Sequence, residues 1–323
     1  MRRRAAAVRA ARAEDPAGAG SAWPAALLTA GQALRLADPD LGRLPWLIVS
    51  DFDGTLSPLV LDPWGAQIIP QARQALRRLA GRERTTVALL SGRAAKDLAA
   101  RVRVGGALYL GNHGLERGRL PRGGRAERLR PTGEAAFDGY EAAVERIALG
   151  VERLVPEPWL IVERKPPALG LHFRAAPDVA AAAIRVQAAV DALDVGGSFE
   201  RFAGKRMLEL RPPGATTKGE ALARLLQVER PGFALVLGDD VSDAAAFRAL
   251  REARGRVGTS GLALAVHARA DLLPEVVAAA DGVLASPREA ARLLASLARW
   301  PEASGARRLP PAPSAGGGQA RGR

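Results

Sequence analysis

The chain has 323 residues and no cysteine. It is long enough to bury a sizeable core, and disulfides, thiolate metal sites and cysteine nucleophiles are excluded. The formal net charge is +13, but residues 1–20 and 301–323 together carry +6 of it. Because these arginine-rich ends have almost no aromatic side chains for stacking on bases, we expect no nucleic-acid partner.

The ends of the chain predict little structure. Residues 1–20 lack the uninterrupted apolar stretch of a secretory signal, and no window approaches the ~20 apolar residues of a membrane span. We therefore expect no membrane association and a cytoplasmic location. Residues 1–40 are predicted to be a variable, partly disordered segment, and residues 301–323, rich in Pro, Ala, Gly and Arg, a disordered tail.

From residue 46 onward, short apolar runs alternate with helical stretches. This alternation favours a parallel sheet with crossover helices, the start of a doubly wound (Rossmann-like) α/β core. The predicted elements are a strand at Trp46–Ser50, a helix at Pro70–Ala80, a strand at Thr85–Leu90, a helix at Ala94–Arg101 and a strand at Ala107–Leu110.

The pattern changes after Gly114 to two successive helix–strand–strand units. Such units predict a small α/β layer with an antiparallel sheet, and hence an inserted cap domain. The predicted elements are a helix near Glu134–Leu149, strands near Trp159–Glu163 and Leu169–Arg174, a helix over Pro177–Ala192, and strands near Ser198–Phe202 and Arg206–Arg211.

The parallel pattern then resumes, so both flanks of the insert are predicted to share one sheet. We assign residues 41–116 and 213–300 to the core and residues 117–212 to the cap. The remaining predicted elements are a helix at Lys218–Leu226, a strand at Phe233–Leu237, a helix at Ser242–Arg251, a strand at Leu262–Val266, an apolar run at Gly282–Ala285 and a last helix to about Arg299.

The strongest motif is Asp51-Phe52-Asp53-Gly54-Thr55, directly after the first predicted strand. Carboxylates at the carboxyl end of a parallel strand project into the ligand crevice. One aspartate can attack phosphorus while the other transfers protons. Gly54 lets the backbone turn close to a phosphate, and Thr55 offers a hydroxyl to its oxygens. The alternative is a plain Asp-Gly turn after a strand.

A second carboxylate cluster, with Asp239, Asp240 and Asp243, follows the strand Phe233–Leu237. Magnesium prefers oxygen ligands and usually takes one or two carboxylates from protein. Asp51 and Asp239 can supply these two from separate strand ends. Alternatively, Asp240 or Ser242 only caps the helix that begins there.

Two further groups suit a phosphate. Ser91 and Gly92 follow a predicted strand and open a helix, where a hydroxyl and unpaired N–H groups favour an anion. Lys218 opens a later helix and can balance phosphate and carboxylate charge. Judged alone, each is as compatible with a helix start as with catalysis.

The order of these motifs resembles the haloacid dehalogenase superfamily, whose phosphatases pass through an aspartyl-phosphate. The resemblance implies Asp51 as the nucleophile and Asp53 as the general acid/base. It implies a Mg²⁺ ion held by Asp51, the main-chain carbonyl of Asp53, and Asp239, with Asp240 and Asp243 in support. The groups that would hold the phosphoryl group are Thr55, Ser91, Gly92 and Lys218.

Within this superfamily, the chain resembles the trehalose-phosphatase family from about Trp46 to Arg299. The resemblance rests on Leu56-Ser57-Pro58, Gly111-Asn112-His113-Gly114-Leu115-Glu116, Glu163-Arg164-Lys165, Leu171-His172-Phe173-Arg174 and Gly204-Lys205 with Glu209 and Arg211-Pro212. The sugar-binding residues it implies are Glu163, Lys165, Arg174, Lys205 and Glu209 in the cap, and His113 and Glu116 at the junction with the core. One departure is Ala244, where the family commonly has an acidic residue.

The resemblance implies hydrolysis of trehalose 6-phosphate to trehalose and phosphate, and a functional link to a trehalose-phosphate synthase. One alternative is a phosphatase for another sugar phosphate, such as sucrose phosphate or a glycosylglycerate phosphate. Another is a non-catalytic sugar-phosphate-binding regulator. Retention of Asp51, Asp53, Lys218 and Asp239 together argues against the regulator, since a binding module needs no nucleophile.

Overall fold

The computed structural model describes most of the chain, namely residues 27–60, 62–133, 135–204, 206–256, 258–268 and 273–301. The predictions for residues 1–26 and 302–323, including the disordered tail, lie outside the described residues. Among the helices that are described, none combines the length and the apolar character needed to cross a bilayer.

Two sheets organise the described residues. The strands, in chain order, are β1 (Trp46–Ser50), β2 (Thr85–Leu90), β3 (Leu108–Gly111), β4 (Glu116–Arg119), β5 (Ile161–Lys165), β6 (Ala168–His172), β7 (Glu200–Gly204), β8 (Met207–Arg211), β9 (Phe233–Gly238), β10 (Ser260–Val266) and β11 (Gly282–Leu284). The helices, in chain order, are α1 (Ala30–Ala37), α2 (Pro70–Gly81), α3 (Ala95–Val102), α4 (Tyr140–Leu154), α5 (Val179–Leu193), α6 (Lys218–Glu229), α7 (Val241–Arg256), α8 (Pro274–Ala279) and α9 (Pro287–Arg299).

The core sheet has the strand order β11-β10-β9-β1-β2-β3-β4. All neighbours pair in parallel except β3 and β4, which are antiparallel. From the central pair β1 and β9, the chain winds outward through β2 and β3 on one side and through β10 and β11 on the other. The predicted doubly wound α/β core is therefore confirmed.

Helices cover both faces of this sheet. One apolar cluster packs α1, α2, α3 and α9 against the sheet, and a second packs α6, α7 and α8 against the opposite face. Because β1 is buried along its whole length, it reads as a continuous apolar run, as strands covered on both faces do.

The inserted cap has its own antiparallel sheet, in the order β5-β6-β8-β7. Helices α4 and α5 pack on it around a separate apolar cluster that includes Ile147, Leu171, Val186 and Phe199. The predicted smaller α/β cap is thus present as a distinct layer with its own core.

The structure differs from the sequence prediction at two boundaries. Residues 117–119, assigned to the cap, belong to β4 at the edge of the core sheet. Within the segment 1–40, α1 is a regular helix that begins with a capping box between Thr29 and Gln32. Its buried alanines pack in the first apolar cluster, so the core includes α1.

We expect Ala33→Asp to lower the free energy of unfolding by about 3 kcal/mol or more, because Ala33 is fully buried in α1 and the new charge would have no partner. Leu36→Asp on the exposed face of the same helix is the matched control and should cost under about 1 kcal/mol. Urea denaturation measures both values. Equal, small losses would show that α1 does not contribute to the core.

Candidate active site

Asp51 follows directly on β1, where the order of the parallel strands reverses. Its main-chain N–H donates to the carbonyl of Leu237 in β9 at 2.9 Å, so the ends of these two strands lie side by side. Open parallel sheets bind ligands in the crevice beyond such a reversal. Asp51 is buried and Asp53 half-buried, and both line a cavity of about 610 Å³ that is shared by core and cap residues.

The turn after β1 depends on Phe52 and Gly54. Phe52 is fully buried in the first apolar cluster, while the aspartates on either side of it face the cavity. Gly54 has a φ of +78°, and a Cβ there would lie 2.3 Å from Asp239 Oδ2. Glycine is therefore needed for this loop to lie against the carboxylates that follow β9.

Lys218, the first residue of α6, lies buried between two carboxylates. Its Nζ donates to Asp51 Oδ1 and to Asp243 Oδ1, both at 2.8 Å. Burial disfavours the charged ammonium, but the two carboxylates outweigh this and hold the pKa of Lys218 above its usual value. Burial raises the pKa of Asp51 to about 7, with Lys218 acting in the opposite direction. Lys218 is thus the cation that favours the ionised form of Asp51.

A cluster of buried carboxylates fits a divalent cation. Asp51, Asp239 and Asp243 can each offer an oxygen within 4.8 Å of the others. Asp243 is already engaged, because its Oδ1 accepts from Lys218 and its Oδ2 accepts the main-chain N–H groups of Asp239 and Asp240 at 3.1 Å each. Asp51 and Asp239 are therefore the carboxylates better placed to hold a cation. Asp243 supports them through its hydrogen bonds with Lys218 and with the main chain of Asp239. Such an all-oxygen set suits a hard metal ion.

Asp240 forms the start of α7. Its carbonyl accepts the N–H of Asp243 at 2.9 Å and that of Ala244 at 3.3 Å, and its Oδ1 accepts the N–H of Val241 at 2.9 Å. This is the helix-start arrangement that the sequence left open. Ala244 is fully buried in the second apolar cluster, so this departure from the family pattern lies against the core and not in the cavity.

Of the three predicted phosphate-binding residues outside α6, two line the cavity and one does not. Ser91 and Gly92 follow β2 and line the cavity. A Cβ at Gly92 would lie 2.8 Å from His113 Nε2, so His113 packs directly over this glycine. Thr55 is fully buried and is absent from the cavity lining; its hydroxyl lies 3.5 Å from Asp239 Oδ1. The structure therefore brings Thr55 to the carboxylate cluster.

Arg93 is a residue of the site that the sequence did not single out. Its Nε donates to Asp53 Oδ2 at 2.6 Å and its Nη2 donates to Asp53 Oδ1 at 2.8 Å. Its place at the site could have been predicted, because Arg93 directly follows the Ser91-Gly92 pair at the end of a strand. Its pairing with Asp53 could not, since Asp53 lies 40 positions away in the chain.

Buried polar contacts join the cap to the core. Lys165 Nζ donates to Glu209 Oε1 at 2.5 Å and to the carbonyl of Gly92 at 2.6 Å. Arg211 donates to Glu209 Oε2 at 2.9 Å through Nε. His113 Nε2 lies 3.1 Å from the same oxygen. The predicted residues His113, Lys165 and Glu209 are therefore brought together at the cavity.

The pKa values in this network follow from burial and charge. Burial disfavours the ionised form of Glu209, but Lys165, His113 and Arg211 outweigh this and hold its pKa well below the usual range. Burial lowers the pKa of His113 to about 4, so its ring is neutral at pH 7 and Nε2–H donates to Glu209.

Glu163 and Arg174 line a second part of the cavity, together with His172, which the sequence analysis did not include as a site residue. His172 Nε2 lies 2.8 Å from Glu163 Oε2. Burial opposes ionisation of Glu163, but Lys165 and His172 lower its pKa to about 2. Arg174 Nη1 donates to the carbonyl of Val60 at 2.6 Å, so it connects the cap to the segment after β1.

One predicted substrate-binding residue, Glu116, does not line the cavity. Instead, its carboxylate accepts the N–H of Ala95 at the start of α3 at 2.6 Å and the amide of Asn112 at 2.9 Å, so it stabilises a helix start. Lys205 lies outside the described residues.

Comparison with known proteins is consistent with this geometry. The family model described as Trehalose-phosphatase matches residues 49–270. Among curated relatives, a trehalose-phosphate phosphatase of Mycobacterium tuberculosis is 34% identical over 222 residues, covering 67% of this chain and 54% of the relative. One of Mycobacterium avium is 37% identical over 228 residues, with the same coverage.

A solved structure shares the fold. The C-terminal domain of the Candida albicans trehalose-6-phosphate phosphatase matches with a TM-score of 0.65 at 25% identity, covering 84% of this chain and 97% of that domain. The chain spans about half the length of the curated relatives it matches. Because the family model covers well over half of the sequence, the chain belongs to the trehalose-phosphatase family.

Proposed function

We propose that this protein is a Mg²⁺-dependent phosphatase that hydrolyses trehalose 6-phosphate to trehalose and phosphate. The observation that carries the proposal is the position of Asp51, which lines the cavity with Lys218 at 2.8 Å and buried carboxylates beside it. Family membership supports the same activity.

In this mechanism, a carboxylate oxygen of Asp51 attacks phosphorus, and the bond between phosphorus and the sugar oxygen breaks. Asp53 gives its proton to the leaving oxygen. Asp53 then takes a proton from a water molecule as that water attacks phosphorus, which releases phosphate and regenerates Asp51. Lys218 stabilises the negative charge that builds up around the phosphoryl group, and Ser91 and Gly92 lie where they can contact its oxygens.

Mg²⁺ is the ion we assign to the carboxylate cluster, because the donor set contains only oxygen and two carboxylates face the site. Asp51, the main-chain carbonyl of Asp53, and Asp239 would hold it. When bound, it would neutralise charge on the phosphoryl oxygens and orient them. Asp243 keeps Lys218 and the main chain of Asp239 in position.

We propose that residues 140–211 act as the cap that recognises the sugar. The cavity volume is within the range that encloses small ligands. The carboxylates of Glu163 and Glu209 can accept hydroxyl protons, and Lys165 and Arg174 can donate to hydroxyl oxygens.

The wider setting follows from the substrate. A trehalose-phosphate synthase would supply the sugar phosphate, which gives the two enzymes a functional link. Because the doubly charged phosphate does not cross a bilayer unaided, we place the reaction in the cytoplasm, together with the enzyme that makes the substrate.

Replacing the nucleophile tests the mechanism. Asp51→Asn should reduce phosphate release from trehalose 6-phosphate by about 10³-fold or more, since the amide is a poor nucleophile. Steady-state assays on a panel of sugar phosphates measure this and also the substrate preference. Turnover by Asp51→Asn at the wild-type rate would exclude the mechanism, and equal wild-type activity on sucrose phosphate would exclude the substrate assignment.

The metal assignment predicts a requirement for Mg²⁺ in both activity and stability. Chelation should abolish turnover, and added Mg²⁺ should restore it. At about 100 times its Kd, Mg²⁺ should raise the melting temperature of the wild type by roughly 5 °C, because the ion relieves repulsion between buried carboxylates. Asp239→Asn should lose most of this shift. A metal-independent enzyme, or a full shift in Asp239→Asn, would contradict the assignment.

The cap assignment predicts a substrate-dependent defect. Lys165→Met should lower kcat/KM for trehalose 6-phosphate by about 10- to 100-fold, the value of a charged hydrogen bond, and should affect p-nitrophenyl phosphate far less. Arg164→Met is the matched control, because Arg164 on the same strand contacts the exposed Glu145 and Glu152. If Lys165→Met gave equal losses on both substrates, a role in sugar recognition would be refuted.

A further inference from the structure

Arg93 and Asp53 form a bidentate ion pair. The distances of 2.6 and 2.8 Å join two nitrogens of one guanidinium to the two oxygens of one carboxylate. Such pairs fix the orientation of the carboxylate plane, which a lysine cannot do because its ammonium is a single point charge. The Asp53 side chain is 35% exposed, whereas that of Arg93 is only 6% exposed. The buried partner is therefore the one that can hold the other in place.

The guanidinium is itself anchored from several directions. Arg93 Nη1 donates to Asp97 Oδ2 in α3 at 2.9 Å, and Nη2 donates to the carbonyl of Pro63 at 2.7 Å. Its face lies over the ring of Phe52, 5.4 Å from the ring centre. These contacts come from α3, from the segment after β1 and from the loop that carries Asp53. Arg93 is thus rigidly placed before it contacts Asp53.

Fixing Asp53 matters because it lies on a loop. It precedes Gly54, whose lack of a side chain lets the backbone take a positive φ. A group that transfers a proton must lie within hydrogen-bond reach of the oxygen it serves. A small misplacement of a catalytic group carries a large cost in rate. A carboxylate at this position therefore needs an external support to remain beside Asp51.

We propose that Arg93, held by Asp97, is the positioning residue that fixes the Asp53 carboxyl group at the cavity, where Asp53 serves the leaving-group oxygen. In the acid step, one Asp53 oxygen would carry the proton and face the leaving group while the other remains hydrogen-bonded to Arg93. This inference rests on the proposed phosphatase activity and assigns to Arg93 a role in that reaction. Arg93 acts through Asp53 and contacts neither the metal cluster nor the nucleophile in the structure. Its effect must therefore depend on how much the leaving group needs a proton.

Two substrates without a sugar isolate this property. Phenyl phosphate has a basic leaving group that needs protonation, and p-nitrophenyl phosphate has a weakly basic one that does not. We expect Arg93→Gln to lower kcat/KM on phenyl phosphate at least about tenfold more than on p-nitrophenyl phosphate, because acid catalysis typically contributes 10²–10⁴-fold. The comparison uses kcat/KM, which reports the step that releases the leaving group, because the later hydrolysis of the aspartyl-phosphate is common to both substrates. Arg93→Lys should also lose more activity on phenyl phosphate than on p-nitrophenyl phosphate, but by a smaller factor. Lysine keeps the positive charge and loses the bidentate contact with Asp53.

Arg101→Gln is the matched control. Arg101 also binds Asp97, at 2.8 Å, and it donates to the carbonyls of Trp64 and Ala66, but it has no contact with Asp53. A general weakening of this region would affect Arg101→Gln and Arg93→Gln alike. We expect Arg101→Gln to keep the wild-type ratio between the two substrates. Melting temperatures of all variants show whether each is folded. If Arg93→Gln does not fold, the comparison is made with Arg93→Lys instead.

A second measurement is a double-mutant cycle. If Arg93 acts through Asp53, then Arg93→Gln should add little to the loss already caused by Asp53→Asn on phenyl phosphate. Additive losses, equal losses on the two aryl phosphates, or an altered ratio in Arg101→Gln would each overturn the inference while leaving the phosphatase activity in place. Failure of the proposed function is a different result: a wild type inactive on every phosphate ester, or an Asp51→Asn variant that remains active.

Discussion

One buried ammonium joins the three segments that meet at the site. Lys218 begins α6, Asp51 directly follows β1, and Asp243 lies in the first turn of α7; the two 2.8 Å contacts hold these elements at fixed positions. A buried lysine without partners would cost several kcal/mol, and so would a buried carboxylate without its cation. The cluster is therefore stable only as a unit. With Asp239 included, the cluster contains three carboxyl groups and one ammonium. When all three carboxyl groups are ionised, the excess negative charge is of the size that a divalent cation balances.

Much of the fold could be predicted because burial leaves a clear pattern in the sequence. The bounds of β1 and β2 agree with their apolar runs, and α6 begins where Thr217 and Glu220 form a capping box. The helix predicted near Glu134–Leu149 runs instead over Tyr140–Leu154. Its N-cap is Gly139 and no side chain caps it, so the sequence carries no capping signal at the true start. β4 was missed because its four residues, Glu-Arg-Gly-Arg, have no apolar alternation; only pairing with β3 makes them a strand.

The candidate site was predictable to the extent that topology alone determines it. Asp51 and Asp239 follow adjacent parallel strands, so their proximity follows from the strand order. Partners of long side chains do not follow in this way. The pairing of Arg93 with Asp53, and of His172 with Glu163, depends on side-chain conformations and on the position of the cap. Glu116 is the opposite case, a residue that the sequence placed at the site and that has another role. Its carboxylate accepts the N–H of Ala95, at the start of a helix 21 positions earlier in the chain.

In the proposed function, the contacts of Lys165 would relate sugar recognition to phosphate binding. This cap residue donates both to Glu209 in the cap and to the carbonyl of Gly92 in the core. Gly92 adjoins Ser91 at the cavity, and His113 packs so closely over it that a Cβ would clash. A sugar hydroxyl that competes for Lys165 or Glu209 would therefore act on groups that contact Gly92 and His113, beside the proposed phosphate site. Since Glu209 is buried and ionised, any hydroxyl bound there must donate to it or leave part of its charge unsolvated. In the proposed reaction, the same buried charges that hold the cap on the core thus favour a leaving group rich in hydroxyls.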